Sequence, residues 1–210
     1  MMDNGPLSPQ ACADILGGLS AQTMERLETY VRLLTKWQKA INLVGPKTLA
    51  DPWRRHILDS AQVAAICGSD TSVADLGSGA GLPGLIVALM TDAQVTLIES
   101  DQRKATFLRE ATRETGATVN VQNARIEDIS PIAADVVTAR ALAPLPKLLP
   151  WVARHLKKDG KAVLLKGSEA EQELTLVAKN WTMDIERRES LSEPSATVLI
   201  LSNLAPRDVC

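Results

Sequence analysis

Two acidic residues bracket a run of glycines in this chain, and their spacing is the part of the sequence most readable as chemistry. The run is Val73-Ala74-Asp75-Leu76-Gly77-Ser78-Gly79-Ala80-Gly81-Leu82-Pro83-Gly84. A short apolar stretch ends in a carboxylate, glycines alternate, and a proline opens an apolar pattern of helical period. Such a segment folds as a buried strand, a tight turn and a helix N-terminus. Glycine supplies positive φ and lets a ligand lie against the backbone. Pro83 is expected at the first helical position, where its missing N–H costs nothing. Free N–H groups then face whatever lies over the strand end. Glu99 follows the loop by about 20 residues, where an acid accepts hydrogen bonds from ribose hydroxyls.

Two ligands satisfy that spacing. Gly79-Ala80-Gly81-Leu82-Pro83-Gly84 fits the dinucleotide fingerprint, and Asp75-x-Gly77-x-Gly79 is equally the pattern of S-adenosylmethionine (SAM) methyltransferases. A glycine turn serving only tight strand–helix packing is the plain structural alternative.

The elements around the loop narrow the choice. Strands are expected at 73–76, 95–99, 119–122, 134–139 and 162–166. Helices are expected at 82–90, 102–115 and 145–156, with a short one near 126–129. Such alternation implies right-handed crossovers and a mostly parallel sheet. Ligands then bind outside the C-terminal strand ends, where Gly77, Glu99 and Arg140 all fall. The chain closes differently, with strand-like runs at 181–188 and 197–201 joined by a turn containing Pro194. A closing antiparallel pair characterises SAM methyltransferases rather than dehydrogenases. The expected fold is therefore α/β and Rossmann-like, with an N-terminal helical cap. In that cap Met24, Leu27, Val31, Leu34, Trp37 and Ile41 recur at helical spacing across 20–44. Ser20 is the expected N-cap and Gly45-Pro46 the stop. A second helical pattern covers 52–66. The expected division is a cap at 1–68 that contacts RNA and a SAM-binding domain at 69–210.

Bulk properties set limits. With 210 residues, 45% apolar and 23% charged, the chain suits one domain with an appendage. It has no apolar run of about 18 residues, and Met1-Met2-Asp3-Asn4 leads into no signal-peptide core. A cytoplasmic protein without membrane contact is expected. Cys12, Cys67 and Cys210 are odd in number and far apart, and only two histidines exist. Neither a disulfide framework nor a metal centre is expected. The net charge of −2 argues against nucleic acid on its face. Yet Arg32, Lys36, Lys39, Lys47, Arg54 and Arg55 stand against Asp51 alone, a surplus of five cations in one stretch. That asymmetry suits RNA or phosphate contact as well as a solvated helix face. With four Trp, one Tyr and one Phe, stacking cannot dominate RNA capture. Phosphate contacts, and hence strong salt dependence, are expected instead.

The loops after the third and fourth strands carry the remaining candidates. Asn123-Ala124-Arg125-Ile126-Glu127-Asp128 would flank an adenine, with Ile126 on the ring. Arg140 stands where methyltransferases place residues specific to the target atom. The Asn/Asp-Pro-Pro-aromatic motif of exocyclic-amine methylation is absent, as is the Pro-Cys nucleophile of pyrimidine carbon methylation. Guanine N7 needs neither, because its in-plane lone pair attacks once aligned. His56 and Asp59, three apart on one helix, suit a purely structural pair.

These residues resemble those of a known family, the bacterial small-subunit (16S) ribosomal RNA guanine-N7 methyltransferases (the RsmG or GidB family). The resemblance runs from Thr23 to Leu201. It rests on Lys36-Trp37-Gln38-Lys39-Ala40-Ile41-Asn42-Leu43, Arg55-His56-Ile57-Leu58-Asp59-Ser60, the loop 79–84, Arg140-Ala141 and Leu165-Lys166-Gly167. It implies SAM as cofactor and 16S ribosomal RNA as substrate, inside the small subunit or an assembly intermediate. By motif position it implies cofactor contacts at Gly77, Leu82, Ile126, Glu127 and Arg140, with Gly79 in the loop and Glu99 at the ribose. It also implies Arg55, His56, Asp59 and Lys166 beside the RNA and guanine; Lys36 and Lys39 of the basic stretch are the further RNA contacts expected. Arg140, Lys166, His56 and Asp59 are the candidates for assisting the chemistry. Ser78 and Ala80 stand where relatives often have threonine and proline, and Glu99 where aspartate is frequent. A monomer is the default expectation. The rivals are an NAD-dependent oxidoreductase and a catalytically idle RNA-binding assembly factor.

Overall fold

The structure, a computed structural model, describes residues 5–68 and 70–207; Cys210 and the stretch 1–4 lie outside the described residues. One seven-stranded sheet has the order β3-β2-β1-β4-β5-β7-β6. Its strands are β1 Ser72–Leu76, β2 Gln94–Ile98, β3 Val119–Gln122, β4 Ala134–Arg140, β5 Leu156–Lys166, β6 Trp181–Glu189 and β7 Thr197–Pro206. β1 to β5 run parallel, while β7 is antiparallel to both β5 and β6. The expected α/β class with its closing antiparallel pair is the one observed.

Strand alternation explains the layering. Val73, Val95, Leu97, Val136, Val163 and Ile200 point into one apolar core. Their neighbours Ala74, Ile98, Val137, Leu164 and Leu199 point into the other. A period of two with both faces apolar is what a covered parallel sheet demands. The first core is covered by α1 Pro9–Ile15, α2 Ala21–Gln38, α3 Asp59–Ala64, α4 Gly84–Met90 and α5 Gln102–Thr115. The second lies under α6 Leu145–His155 and α7 Ala170–Val177. Leu27, Tyr30, Leu34 and Ile57 are wholly buried in the first core, so the N-terminal helices share it with the sheet.

Several element boundaries differ from expectation. The helix expected to reach residue 44 ends at Gln38. The Gln38 side chain accepts from the N–H groups of Leu43 and Val44 at 2.9 and 3.0 Å and donates to the Val44 carbonyl at 2.8 Å. One amide thus replaces a helical turn and folds the chain back. The second helical stretch is a π-helix, Trp53–Leu58, leading into α3. The short helix expected at 126–129 is only a turn, closed by Asp128 N–H on the Arg125 carbonyl at 3.1 Å. β5 starts six residues before the expected position, at Leu156 instead of 162. Helices α1 and α7 were not anticipated. Pro83 caps α4 rather than opening it, and the Leu82–Pro83 peptide is cis.

Strand order reverses between β1 and β4. A crevice opens at such a switch point outside the carboxyl ends of the strands.

Candidate functional site

A cavity of about 1250 Å³ fills that crevice. One side is the glycine loop. Gly77, Gly79 and Gly81 adopt φ of +63°, +57° and +84°, which only glycine takes without strain. Ser78 N–H donates to the Ile98 carbonyl at 2.9 Å, tying the loop to the end of β2. Glu99, 6% exposed, accepts from Gly79 N–H at 2.8 Å and from Asp101 N–H at 2.7 Å. A carboxylate offers about four acceptor positions, so capacity for two hydroxyls remains. Asn123 then fastens the neighbouring loop by donating to the Glu99 carbonyl at 2.9 Å. Leu82, Ile126, Glu127, Leu142 and Trp151 complete this wall, with the Lys147 ammonium 5.2 Å from the Trp151 ring centre.

Asp75, which opens the glycine run, lies beneath the cavity rather than in it. Strand register sets Thr138 beside it, and the threonine hydroxyl donates to Oδ1 at 2.7 Å. Its Oδ2 is buried with no hydrogen-bond partner among the described residues. Burial pushes the carboxyl up to about 6. A Cβ at Gly84 would sit 2.6 Å from the Asp75 Cβ, so this glycine is what lets α4 pack on β1.

The cap side is built from separated segments. Arg140, last residue of β4, donates to Asp59 Oδ2 at 3.0 Å and to the Arg55 carbonyl at 3.1 Å, with His56 Nδ1 at 3.4 Å. Thr48 donates to the Gly45 carbonyl at 2.7 Å, so its oxygen accepts from His56 Nε2 at 3.0 Å. That assigns the proton to Nε2 and leaves Nδ1 as acceptor for Arg140. Burial, reinforced by the Arg140 and Arg55 charges, pulls His56 down to about 3. The ring is neutral at physiological pH. The pairing of His56 with Asp59 suggested by their spacing is not formed; Arg140 stands between them. The other Asp59 oxygen accepts from Ser192 at 2.7 Å and Gln62 at 3.2 Å.

Lys166 is engaged by Glu173 at 2.7 Å and by the Ala143 carbonyl at 3.1 Å, and Glu173 also takes Leu145 N–H at 2.6 Å. The lysine therefore braces the loop after β4. Arg55 is ion-paired with Glu193 of the turn between β6 and β7. Gly77, Gly79, Leu82, Glu99, Ile126, Glu127, Arg140, Arg55, His56, Asp59 and Lys166 all line the one cavity. Lys36 and Lys39 do not; both are exposed, Lys36 on the last turn of α2 and Lys39 just past its end, outside the cavity.

Sequence reasoning missed Thr48, Leu142, Lys147, Trp151, Ser192 and Glu193. Lys147 and Trp151 carried a usable signal, since they lie four apart on the first turns after the loop at Arg140. Glu193 carried only its place beside Pro194 in a turn. Among the described residues no cluster of three His, Cys, Asp or Glu side chains is arranged to hold a metal, and no helix is long and apolar enough to cross a membrane.

Comparison with known proteins fits this geometry. A family model described as rRNA small subunit methyltransferase G (GidB) matches residues 23–198. A protein of Paramagnetospirillum magneticum named ribosomal RNA small subunit methyltransferase G is 50% identical over 189 residues, covering 90% of this chain and 92% of its own. A protein of that name from Rhodospirillum rubrum is 45% identical over 200 residues, covering 94% and 98%. Among solved structures, M. jannaschii TYW2 in complex with AdoMet (SAM) superposes with TM-score 0.58 at 18% identity, covering 72% of this chain and 76% of that one. A SAM dependent methyltransferase from Aquifex aeolicus gives 0.58 at 18% identity, covering 74% and 96%. The likenesses to solved structures establish the fold.

Proposed function

Because this chain belongs to the rRNA small subunit methyltransferase G family, we propose that it transfers a methyl group from SAM to N7 of a guanine in small-subunit (16S) ribosomal RNA. The carrying observation is that the titratable candidates on the cap wall are already engaged. His56 uses both ring nitrogens and stays neutral down to about pH 3. Asp59 is held by Arg140, Ser192 and Gln62, and Lys166 by Glu173. None is poised as a general base, and N7 needs none, because it carries a lone pair and no proton. Positioning is then the main contribution of these residues.

The loop side suits SAM. When bound, SAM supplies an electrophilic methyl group on a sulfonium centre. Glu99 would accept from the ribose hydroxyls. Gly77, Gly79 and Leu82 would let the ligand lie against the turn, with Ile126 against the adenine and Glu127 near its amine. Arg140 stands between this half and the cap, where it would orient cofactor and guanine together. In this reading residues 1–68 form the RNA-contacting cap and 69–210 the SAM-binding part, with Arg55, Lys36 and Lys39 on the RNA phosphates. A monomeric, cytoplasmic enzyme acting on the subunit or an assembly intermediate accords with it.

The test is incubation with labelled SAM and small subunits lacking the modification, followed by chemical cleavage at N7-methylguanine. Label at one guanine of the small-subunit RNA is expected; label at another atom or on protein would overturn the assignment. Isothermal titration should show SAM binding, and tight NAD binding with no SAM binding would sink it.

A further inference from the structure

The turn 190–196 joining β6 to β7 reaches back across the sheet to the cap. Its base is pinned: Gln62 accepts from Leu191 N–H at 3.1 Å, and Ser192 donates to Asp59 at 2.7 Å. The turn closes on itself through Ala196 N–H on the Glu193 carbonyl at 2.9 Å and Ser190 N–H on the Ala196 carbonyl at 3.2 Å. Glu193 is thereby held over Arg55 and ion-paired with it, and both line the cavity. Arg55 holds the Glu193 carboxyl below its ordinary range, so it is charged at neutral pH.

We propose that Glu193 is a built-in competitor for the anionic group that Arg55 receives, so that RNA must displace this carboxylate to enter the cap side of the cavity. The inference rests on the reading of Arg55 as an RNA phosphate contact. A guanidinium binds carboxylate and phosphate oxygens with the same donors. A carboxylate on a pinned turn competes at high effective concentration. The pair is also easily opened, because both side chains are more than a third exposed, at 37% and 39%, and exposed ion pairs are weak. A contact of this kind blocks adventitious anions yet yields to a polyanion that gains several phosphate contacts at once.

The test is a double-mutant cycle read by binding of unmodified small-subunit ribosomal RNA, transcribed in vitro, at fixed salt. Glu193→Gln should tighten binding about two- to fivefold, the range spanned by an exposed ion pair. Arg55→Ala should weaken it. On the Arg55→Ala background, Glu193→Gln should change nothing. A gain of equal size on that background would mean that Glu193 acts by general repulsion, and the competitor role falls. Weakening by Arg55→Ala with no gain from Glu193→Gln would also refute it while sparing the reading of Arg55. No weakening by Arg55→Ala would reject that reading first. Unchanged melting temperatures certify that the variants are folded.

Discussion

On the loop side of the cavity, backbone N–H groups and one carboxylate hold each other in fixed positions. On the cap side, long side chains from α3, β4, β5 and the β6–β7 turn hold one another, and Arg140 is the centre of the arrangement. The first is a surface whose shape is set by φ angles; the second is a network whose shape depends on every partner staying in place. A ligand recognised on the loop side meets a site already organised. One recognised on the cap side must exchange existing contacts for its own. The difference predicts that loop substitutions abolish binding outright, whereas cap substitutions shift stability and RNA affinity by degrees.

The largest effect is expected from Gly77→Val. A Cβ there would lie 2.4 Å from Leu142 Cδ1, and φ is +63°. Left-handed backbone at a β-branched residue costs about 1–3 kcal/mol before any clash. Titration calorimetry should find no SAM binding in a folded variant; unchanged affinity would show that the loop is not the cofactor's floor. Arg140→Ala comes next. It strands Asp59, whose side chain is only 14% exposed. Removing one partner of a buried pair costs about 3–5 kcal/mol, and the contacts Asp59 keeps with Ser192 and Gln62 reduce that to about 2–3. The melting temperature should fall by about 5–10 °C, and adding Asp59→Asn should restore part of it. A variant as stable as the parent would mean that the cap network contributes little.

The same contrast governs what the sequence could reveal. The loop is contiguous, and each glycine answers a local need, so Gly77, Gly79 and Glu99 were legible from spacing alone. The order of strands and helices was legible for the same reason, since two covered faces call for apolar residues on both sides of the central strands. The network is not contiguous. Nothing near Asp59 announces that Ser192, 133 residues away, will bond to it. His56 and Asp59 looked like a pair because helix spacing is local information, and the intervening Arg140 is not. Gln38 ending its own helix was hidden likewise, because a side chain's choice of backbone partner depends on the fold of the loop after it.

A third prediction tests the ground beneath the loop. The Asp75 carboxyl is raised from 3.8 to about 6 by burial. Between these values the folded state keeps a proton that the unfolded state has lost. Stability is therefore fully present below about pH 4 and declines as pH rises toward about 6. The loss should be on the order of 2–3 kcal/mol. Thermal melting from pH 4 to 7 should show that decline in the parent, and Asp75→Asn should flatten it. An identical slope in both would mean that Asp75 ionises normally.

The smallest effect concerns the exposed cations at the C-terminal end of α2. Lys36 and Lys39 pair with no acid among the described residues and lie outside the cavity. They can contribute only through RNA that extends beyond the cavity mouth. Each phosphate neutralised on a single strand contributes about 0.7 to the slope of log affinity against log salt. Replacing both with alanine should lower that slope by roughly 1.4 while leaving the melting temperature unchanged. Arg55→Ala differs in kind, because it removes the anion position inside the cavity itself. Its effect on affinity should therefore exceed that of either lysine at every salt concentration. Equal effects for Arg55 and the lysines would make the cap one uniform basic surface, without the separate anion position that the Arg55–Glu193 pair marks.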